Sequence, residues 1–267
     1  MNPEQIFCPN IDCPARGQVG KGNIHIHSQK EKRCSCDVCE TTFSVTKGTL
    51  FYRLKTDPAT VMPVLVLLAY GCPVPAIVAA FGFDERTVKN WWQKAGDHSQ
   101  KVHQNQIGES HLDLEHVQAD EIKVKTQQGA IWMALAIMVS PRLWLGGVIS
   151  AKRDKGLIRA LVGQIRRIAL YRPLLIAVDG LPSYVKAFQE AFRTKLPRYG
   201  QSGRSKLRAW SELYIVQVIK KRSSGRFSVT RRIVQGSVKQ ITALLRLTQG
   251  GGKINTAYIE RLNATFR

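Results

Sequence analysis

The spacing of hydrophobic positions changes along the chain, and each change marks a different kind of element. Over residues 57–95 apolar side chains recur at helical intervals, in segments punctuated by Gly and Pro. Asp57-Pro58 opens a first helix, which Gly71 and Pro73 end. A second begins near Pro75. After Phe81-Gly82-Phe83, Asp84 is placed to cap a third helix running from Glu85 to about Ala95. On that helix Val88 and Trp92 lie four apart and are expected to face the core, leaving Arg86, Lys89, Asn90 and Gln93 on the opposite side. In helix-turn-helix spacing those side-chain types suit base edges and phosphates, though the solvated face of any amphipathic helix is polar too.

From Glu115 the period shortens to that of strands. Segments 116–125, 131–139 and 143–150 predict a meander, followed by a helix from about Lys155 to Leu170. Leu174-Leu175-Ile176-Ala177-Val178 is apolar throughout, as in a strand buried on both faces, and ends at Asp179-Gly180. Next come a helix to about Lys195, a basic loop over 198–208, and strands 213–220 and 227–234 turned by Ser223-Ser224-Gly225. A helix from Ser237 is broken by Gly250-Gly251-Gly252, and a last helix starting near Asn255-Thr256 carries Glu260 on its first turns. Three strands, a helix, a fourth strand and later helices make the order of a ribonuclease-H-like fold.

Five of the six cysteines fall within the first 39 residues. Cys8 and Cys13 form one pair and Cys36 and Cys39 a second, with room between them for a short hairpin. Four such thiols suit one structural, tetrahedral Zn²⁺ in a zinc ribbon; ordinary buried thiols are the alternative. Cys34, close to Cys36, is the surplus sulfur. His25 and His27 share one face of a strand, where they could ligate metal or simply be exposed near DNA. Cys72, alone among apolar residues, is expected in a core. The expected class is α+β: a zinc ribbon over 1–50, a helix-turn-helix module over 57–100, and a ribonuclease-H-like α/β domain over 112–267.

Charge adds a partner. The formal net charge is +21, and the first hundred residues hold 11 basic against 9 acidic side chains, so the excess lies in the remainder. From Lys152 onward only Asp154, Asp179, Glu190, Glu212 and Glu260 are acidic, among 25 Lys and Arg. Such an imbalance points to a polyanion, with nucleic acid the first candidate. Residues 61–70 are apolar but shorter than the roughly 20 a membrane helix needs. The sequence from Met1 lacks the basic and apolar regions of a signal peptide, so an intracellular, reducing compartment is expected.

Against that basic background the few acids carry information. Asp120 on the first strand, Asp179 at the end of the fourth and Glu260 on the last helix can converge in such a fold. A cluster of hard oxygen ligands suits phosphodiester chemistry on two Mg²⁺ or Mn²⁺ ions roughly 4 Å apart. Glu121, next to Asp120, should point to the opposite strand face and is the lesser candidate ligand.

The same residues carry a resemblance. Asn255-Thr256-Ala257-Tyr258-Ile259-Glu260-Arg261-Leu262-Asn263 is similar to the glutamate block of the small prokaryotic insertion-sequence transposases of the DDE type. Val117-Gln118-Ala119-Asp120-Glu121 and Ala177-Val178-Asp179-Gly180 resemble that group's two aspartate blocks. The stretch from Cys36 to Ser44, then Gly48 to Tyr52, resembles its zinc-ribbon segment leading into a helix-turn-helix. The resemblance implies an enzyme that binds terminal inverted repeats in double-stranded DNA, cleaves at the ends and joins the freed 3′-hydroxyl to target DNA. It also implies action as a homodimer or higher oligomer on DNA, in the cytoplasm at the nucleoid. Lys123, Lys125, Lys220, Lys221 and Arg222 are candidate phosphate contacts, while Asn255 and Arg261 are expected to support the site or touch DNA, with helix packing and capping as the alternative. Seven residues follow Glu260, so a truncated catalytic segment or a short closing helix is expected. A repressor that binds DNA without cutting it is the alternative function, and a simple nuclease a third.

Overall fold

The computed structural model describes residues 1–126, 129–196, 203–223 and 226–266. It is α+β, with seven α-helices among the described residues, and divides into two units, Met1–Val102 and His103–Arg267. No helix among the described residues is long and apolar enough to cross a membrane.

In the first unit β1 (Ile24–Ser28), β2 (Arg33–Cys36) and β3 (Thr42–Ser44) form an antiparallel sheet in that order. Cys8, Cys13, Cys34, Cys36, Ile24 and Phe43 make its core. Three helices follow: α1 (Pro58–Ala69), α2 (Val74–Phe81) and α3 (Glu85–His103). Asp57 caps α1 by accepting from the Ala59 N–H, and Asp84 caps α3 by accepting from the N–H groups of Arg86 and Thr87. Gly82 closes α2 in the left-handed conformation at φ 70°, which costs a residue without Cβ nothing. α3 does not stop near Ala95 but continues for two further turns, because no Pro intervenes and a lone Gly96 costs only about 1 kcal/mol. The expected inward pair also shifts. Val88 and Trp91 are buried, whereas Trp92 is 46% exposed, so the core stripe follows the three-residue rather than the four-residue spacing.

The second unit is built on a mixed six-stranded sheet. Its strands are β4 (His116–Thr126), β5 (Gly129–Met138), β6 (Leu143–Ser150), β7 (Leu174–Val178), β10 (Leu213–Ser223) and β11 (Arg226–Gln235). Their spatial order is β11-β10-β7-β4-β5-β6, with β4, β7 and β10 parallel and the other neighbours antiparallel. Short β8 (Arg193–Lys195) and β9 (Leu207–Ala209) pair separately. They begin where a helix to about Lys195 was expected; α5 (Pro182–Ala191) ends earlier. The chain turns there because Phe192 leaves the helical conformation, fully buried, to pack edge-to-face against Trp210. Part of the basic loop and the turn residues Ser224-Gly225 lie outside the described residues.

Helices cover both faces of the sheet. α4 (Lys155–Ile168) and α5 pack on Val117, Ala119, Leu174, Ile176 and Val178. On the other face α6 (Val238–Gln249) covers Leu175, Ala177, Tyr214 and Val216, and α7 (Ala257–Thr265) covers Ile122, Leu135 and Ile137. Every residue of β7 is therefore buried, as its uninterrupted apolar run requires.

The docking of α7 depends on a buried strand residue. Thr256 provides no side-chain cap to this helix. Instead Gln118 of β4, wholly buried, accepts from the N–H groups of Tyr258 and Ile259, both at 3.1 Å. Its amide nitrogen donates to the Asn255 carbonyl at 2.9 Å, while Asn255 Oδ1 accepts from Ala257 N–H at 3.1 Å. A nine-residue helix is marginal alone, and these bonds fix its first turn to the sheet.

Candidate metal centres and nucleic-acid interface

The sulfurs of Cys8, Cys13, Cys36 and Cys39 lie within 4.8 Å of one another. Cys8 and Cys39 are 3.6 Å apart and Cys13 and Cys36 3.9 Å apart. Thiolates about 2.3 Å from a tetrahedral zinc stand roughly 3.8 Å from each other, so donor set and spacing both fit that ion. Burial pushes the Cys8 thiol up to about 12, while hydrogen bonds with Thr41 bring Cys39 down to about 6. Cys34 lies on β2 with Cys36 but outside the four-sulfur group, packed in the core of the three-stranded sheet. His25 pairs with Asp37 at 2.6 Å instead of approaching the sulfurs. Cys72 packs partly buried against the helical core.

The carboxylates meet in the second unit. Ala119 is in register with Val178 across the parallel β4–β7 pair, so the next residues, Asp120 and Asp179, stand level on neighbouring strands. Asp120 shares a face with Gln118 and Ile122, toward α7, where Asn263 Nδ2 donates to Asp120 Oδ2 at 2.8 Å. Asp179 follows the last residue of β7, and its Oδ1 accepts from Leu181 N–H at 2.9 Å. Both acids line one cavity of about 620 Å³ together with Gly180, Lys220, Thr256, Glu260 and Asn263. Desolvation, then the charges of Glu121 and Asp179, push Asp120 up to about 7. Asp179 is likewise raised, chiefly by desolvation.

Glu260 is in the cavity but not in the tightest cluster. Its Oε1 contacts the Lys220 ammonium and accepts from Thr256 Oγ1 at 2.5 Å. The acids whose oxygens lie within 4.8 Å of one another are Asp120, Asp179 and Glu121. Strand alternation does send Glu121 to the α5 side, as expected, yet its longer side chain keeps the carboxylate near the other two. There it is 1% exposed, ion-paired to Arg153, whose Nε donates to Oε1 at 2.7 Å and whose guanidinium lies 5.1 Å from the Trp132 ring centre. Glu121 Oε2 and the Tyr184 hydroxyl are buried and form no hydrogen bond of good geometry among the described residues, while burial first and then the neighbouring Glu121 carboxylate raise the Tyr184 pKa.

Arg153 and Tyr184 carry no sequence signal strong enough to single them out. Asn263 could have been found, since it lies three residues after Glu260 and so on the same helix face.

The candidate DNA contacts fall in two places. On α3, Arg86, Lys89, Asn90 and Gln93 are all exposed; Lys89 pairs with Glu85 at 2.5 Å and Gln93 donates to Asp97 at 2.8 Å. On the second unit, Lys123, Lys125, Lys220, Lys221 and Arg261 are exposed, and Lys220 is engaged by Glu260. The side chain of Arg222 lies outside the described residues. The β10–β11 ladder runs on to Ser223↔Arg226, six residues past the last β10–β7 pair at Gln217↔Val178, and Val218, Ile219 and Lys220 of this extension line the carboxylate cavity.

No protein-family model matches the chain, and no curated protein matches it. Among solved structures it is similar to a chain of the cryoEM structure of simian T-cell lymphotropic virus intasome in complex with PP2A regulatory subunit B56 gamma, at 18% identity with a TM-score of 0.27. That match covers 48% of this chain and 46% of the other, so the chain spans about half the length of its structural neighbour.

Proposed function

We propose that the protein is a DNA transposase of the DDE type, which binds the terminal inverted repeats of an insertion sequence and catalyses metal-dependent cleavage and strand transfer. The observation that carries this is the level placement of Asp120 and Asp179 on neighbouring parallel strands, in one cavity with Glu260, within a chain of net charge +21. Residues 112–267 then form a ribonuclease-H-like catalytic domain, 57–100 a helix-turn-helix and 1–50 a zinc ribbon on Cys8, Cys13, Cys36 and Cys39.

In this reading Asp120, Asp179 and Glu260 hold two Mg²⁺ or Mn²⁺, which when bound activate water or a 3′-hydroxyl and stabilise the leaving oxygen. The chain's own groups prepare that chemistry. Asn263 orients Asp120, and the Leu181 N–H orients Asp179. Gln118, through the first turn of α7, sets the position of Glu260. Arg86, Lys89, Asn90 and Gln93 contact the repeats, while Lys123, Lys125, Lys220, Lys221, Arg222 and Arg261 hold phosphates near the acids. The working form is a homodimer or higher oligomer on double-stranded DNA, at the nucleoid in the cytoplasm.

Incubating the purified chain with DNA and Mn²⁺ should give nicked and joined products, abolished by Asp120→Ala or Asp179→Ala with DNA binding retained. Equal cutting after both substitutions would refute the carboxylate assignment; cutting without joined products would indicate a nuclease. The contact between Glu260 and Lys220, which leaves Glu260 out of the tightest acidic cluster, favours a second reading. In it the chain is a DNA-binding repressor without catalysis, and DNA retention with no metal-dependent product is the expected result.

A further inference from the structure

Resting on the reading that Asp120, Asp179 and Glu260 form a metal centre, we propose that Lys220 is a positioning residue that holds Glu260 back until a DNA phosphate takes the ammonium instead. Glu260 lines the same cavity as the two aspartates, yet it is absent from the group of acids whose oxygens lie within 4.8 Å of one another. What occupies it is Lys220, from a different element of the same cavity.

Lys220 stands on the part of β10 that extends beyond β7, next to exposed Lys221. Side-chain exposure is 39% for Lys220 and 43% for Glu260, so an incoming phosphodiester reaches the ammonium without any rearrangement of the core. An ammonium and a divalent cation at one carboxylate repel each other. Transfer of the ammonium to a phosphate removes that repulsion, and Thr256 Oγ1, still donating to Oε1, keeps Glu260 turned toward the cavity.

DNA and metal are thereby coupled, and coupling between two ligands is reciprocal: each raises the affinity for the other by the same factor. An exposed ion pair is worth at most about 1 kcal/mol, which sets the factor at about fivefold.

The test measures Mn²⁺ binding to the full chain by electron paramagnetic resonance of the free ion, with and without a short duplex of arbitrary sequence. The same titration on Asp120→Ala supplies the Mn²⁺ taken up by the duplex itself. A duplex should tighten Mn²⁺ binding by about fivefold in the unaltered chain. Lys220→Gln should bind Mn²⁺ about fivefold more tightly without DNA and gain nothing further from the duplex, while Lys220→Arg keeps the coupling. Unchanged or weaker Mn²⁺ binding in Lys220→Gln, or full coupling retained in it, overturns the proposal. If Asp120→Ala and Asp179→Ala leave Mn²⁺ binding intact, the metal centre itself is wrong and the proposal falls with it. If they abolish it but the unaltered chain shows no coupling, only the role of Lys220 is lost.

Discussion

Replacing Gln118 by Leu tests how the last helix is held. The substitution keeps the volume of a wholly buried side chain but removes the acceptor for two N–H groups and the donor to the Asn255 carbonyl. A buried donor left unsatisfied costs about 1–3 kcal/mol, and loss of a helix cap about 1 kcal/mol. Two donors are orphaned and the cap loss overlaps with them, so about 2–4 kcal/mol in total is expected. The loss should be local, since α7 contacts the sheet through Ile259 and its neighbours while α4, α5 and α6 pack elsewhere. Native-state hydrogen exchange reads it directly: amides of α7 should exchange at least about 30-fold faster, with β4 and β7 unchanged. Uniform acceleration across the sheet would show that Gln118 supports the core in general, and exchange within threefold of the original in α7 would remove the capping role altogether.

Cysteine replacement addresses the ribbon: the chain should carry about one zinc, lost in Cys8→Ser or Cys39→Ser, as metal analysis would register. Acid–base behaviour follows from Asp120. Its folded pKa is raised to about 7 from 3.8, so the folded chain keeps a proton that the unfolded chain releases. In a chelator, stability measured by urea unfolding should therefore fall as pH rises between about 4 and about 7, and Mn²⁺ should flatten that slope. Arg153→Ala strands the buried carboxylate of Glu121 and should cost about 2 kcal/mol, less than a fully buried pair because Arg153 is 42% exposed. Adding Glu121→Gln to that variant should recover most of the loss; a double variant no more stable than Arg153→Ala would contradict the charge explanation.

The parts of this architecture that were legible in the sequence are those with one dominant local cause. β7 is a pure apolar run stopped by an acid, and β6 occupies the expected 143–150. The level placement of Asp120 and Asp179 follows once β4 and β7 are paired. Less legible were features settled by partners distant in sequence. Whether Trp91 or Trp92 enters the core depends on the azimuth of α3 against α1 and α2, which a short periodic segment leaves open by one residue. The end of α5 is set by the edge-to-face packing of Phe192 on Trp210, eighteen positions on. Gln118 looked like an ordinary polar residue in a strand, and its role depends on α7. Glu121 was expected to point away, which strand geometry satisfies; alternation says nothing about how far a longer side chain reaches back.

The Gln118 cap also has a temporal side. Its acceptor oxygen meets the N–H groups of residues 140 and 141 positions later in the chain. Strands β4, β5 and β6 can zip locally as soon as they leave the ribosome, and the first unit folds on contacts within its own hundred residues. Until α7 emerges, Gln118 has no helix to cap and Asp120 has no Asn263 beside it. A nascent chain can thus complete its first unit well before the acidic cavity of the second closes, and synthesis itself imposes that order.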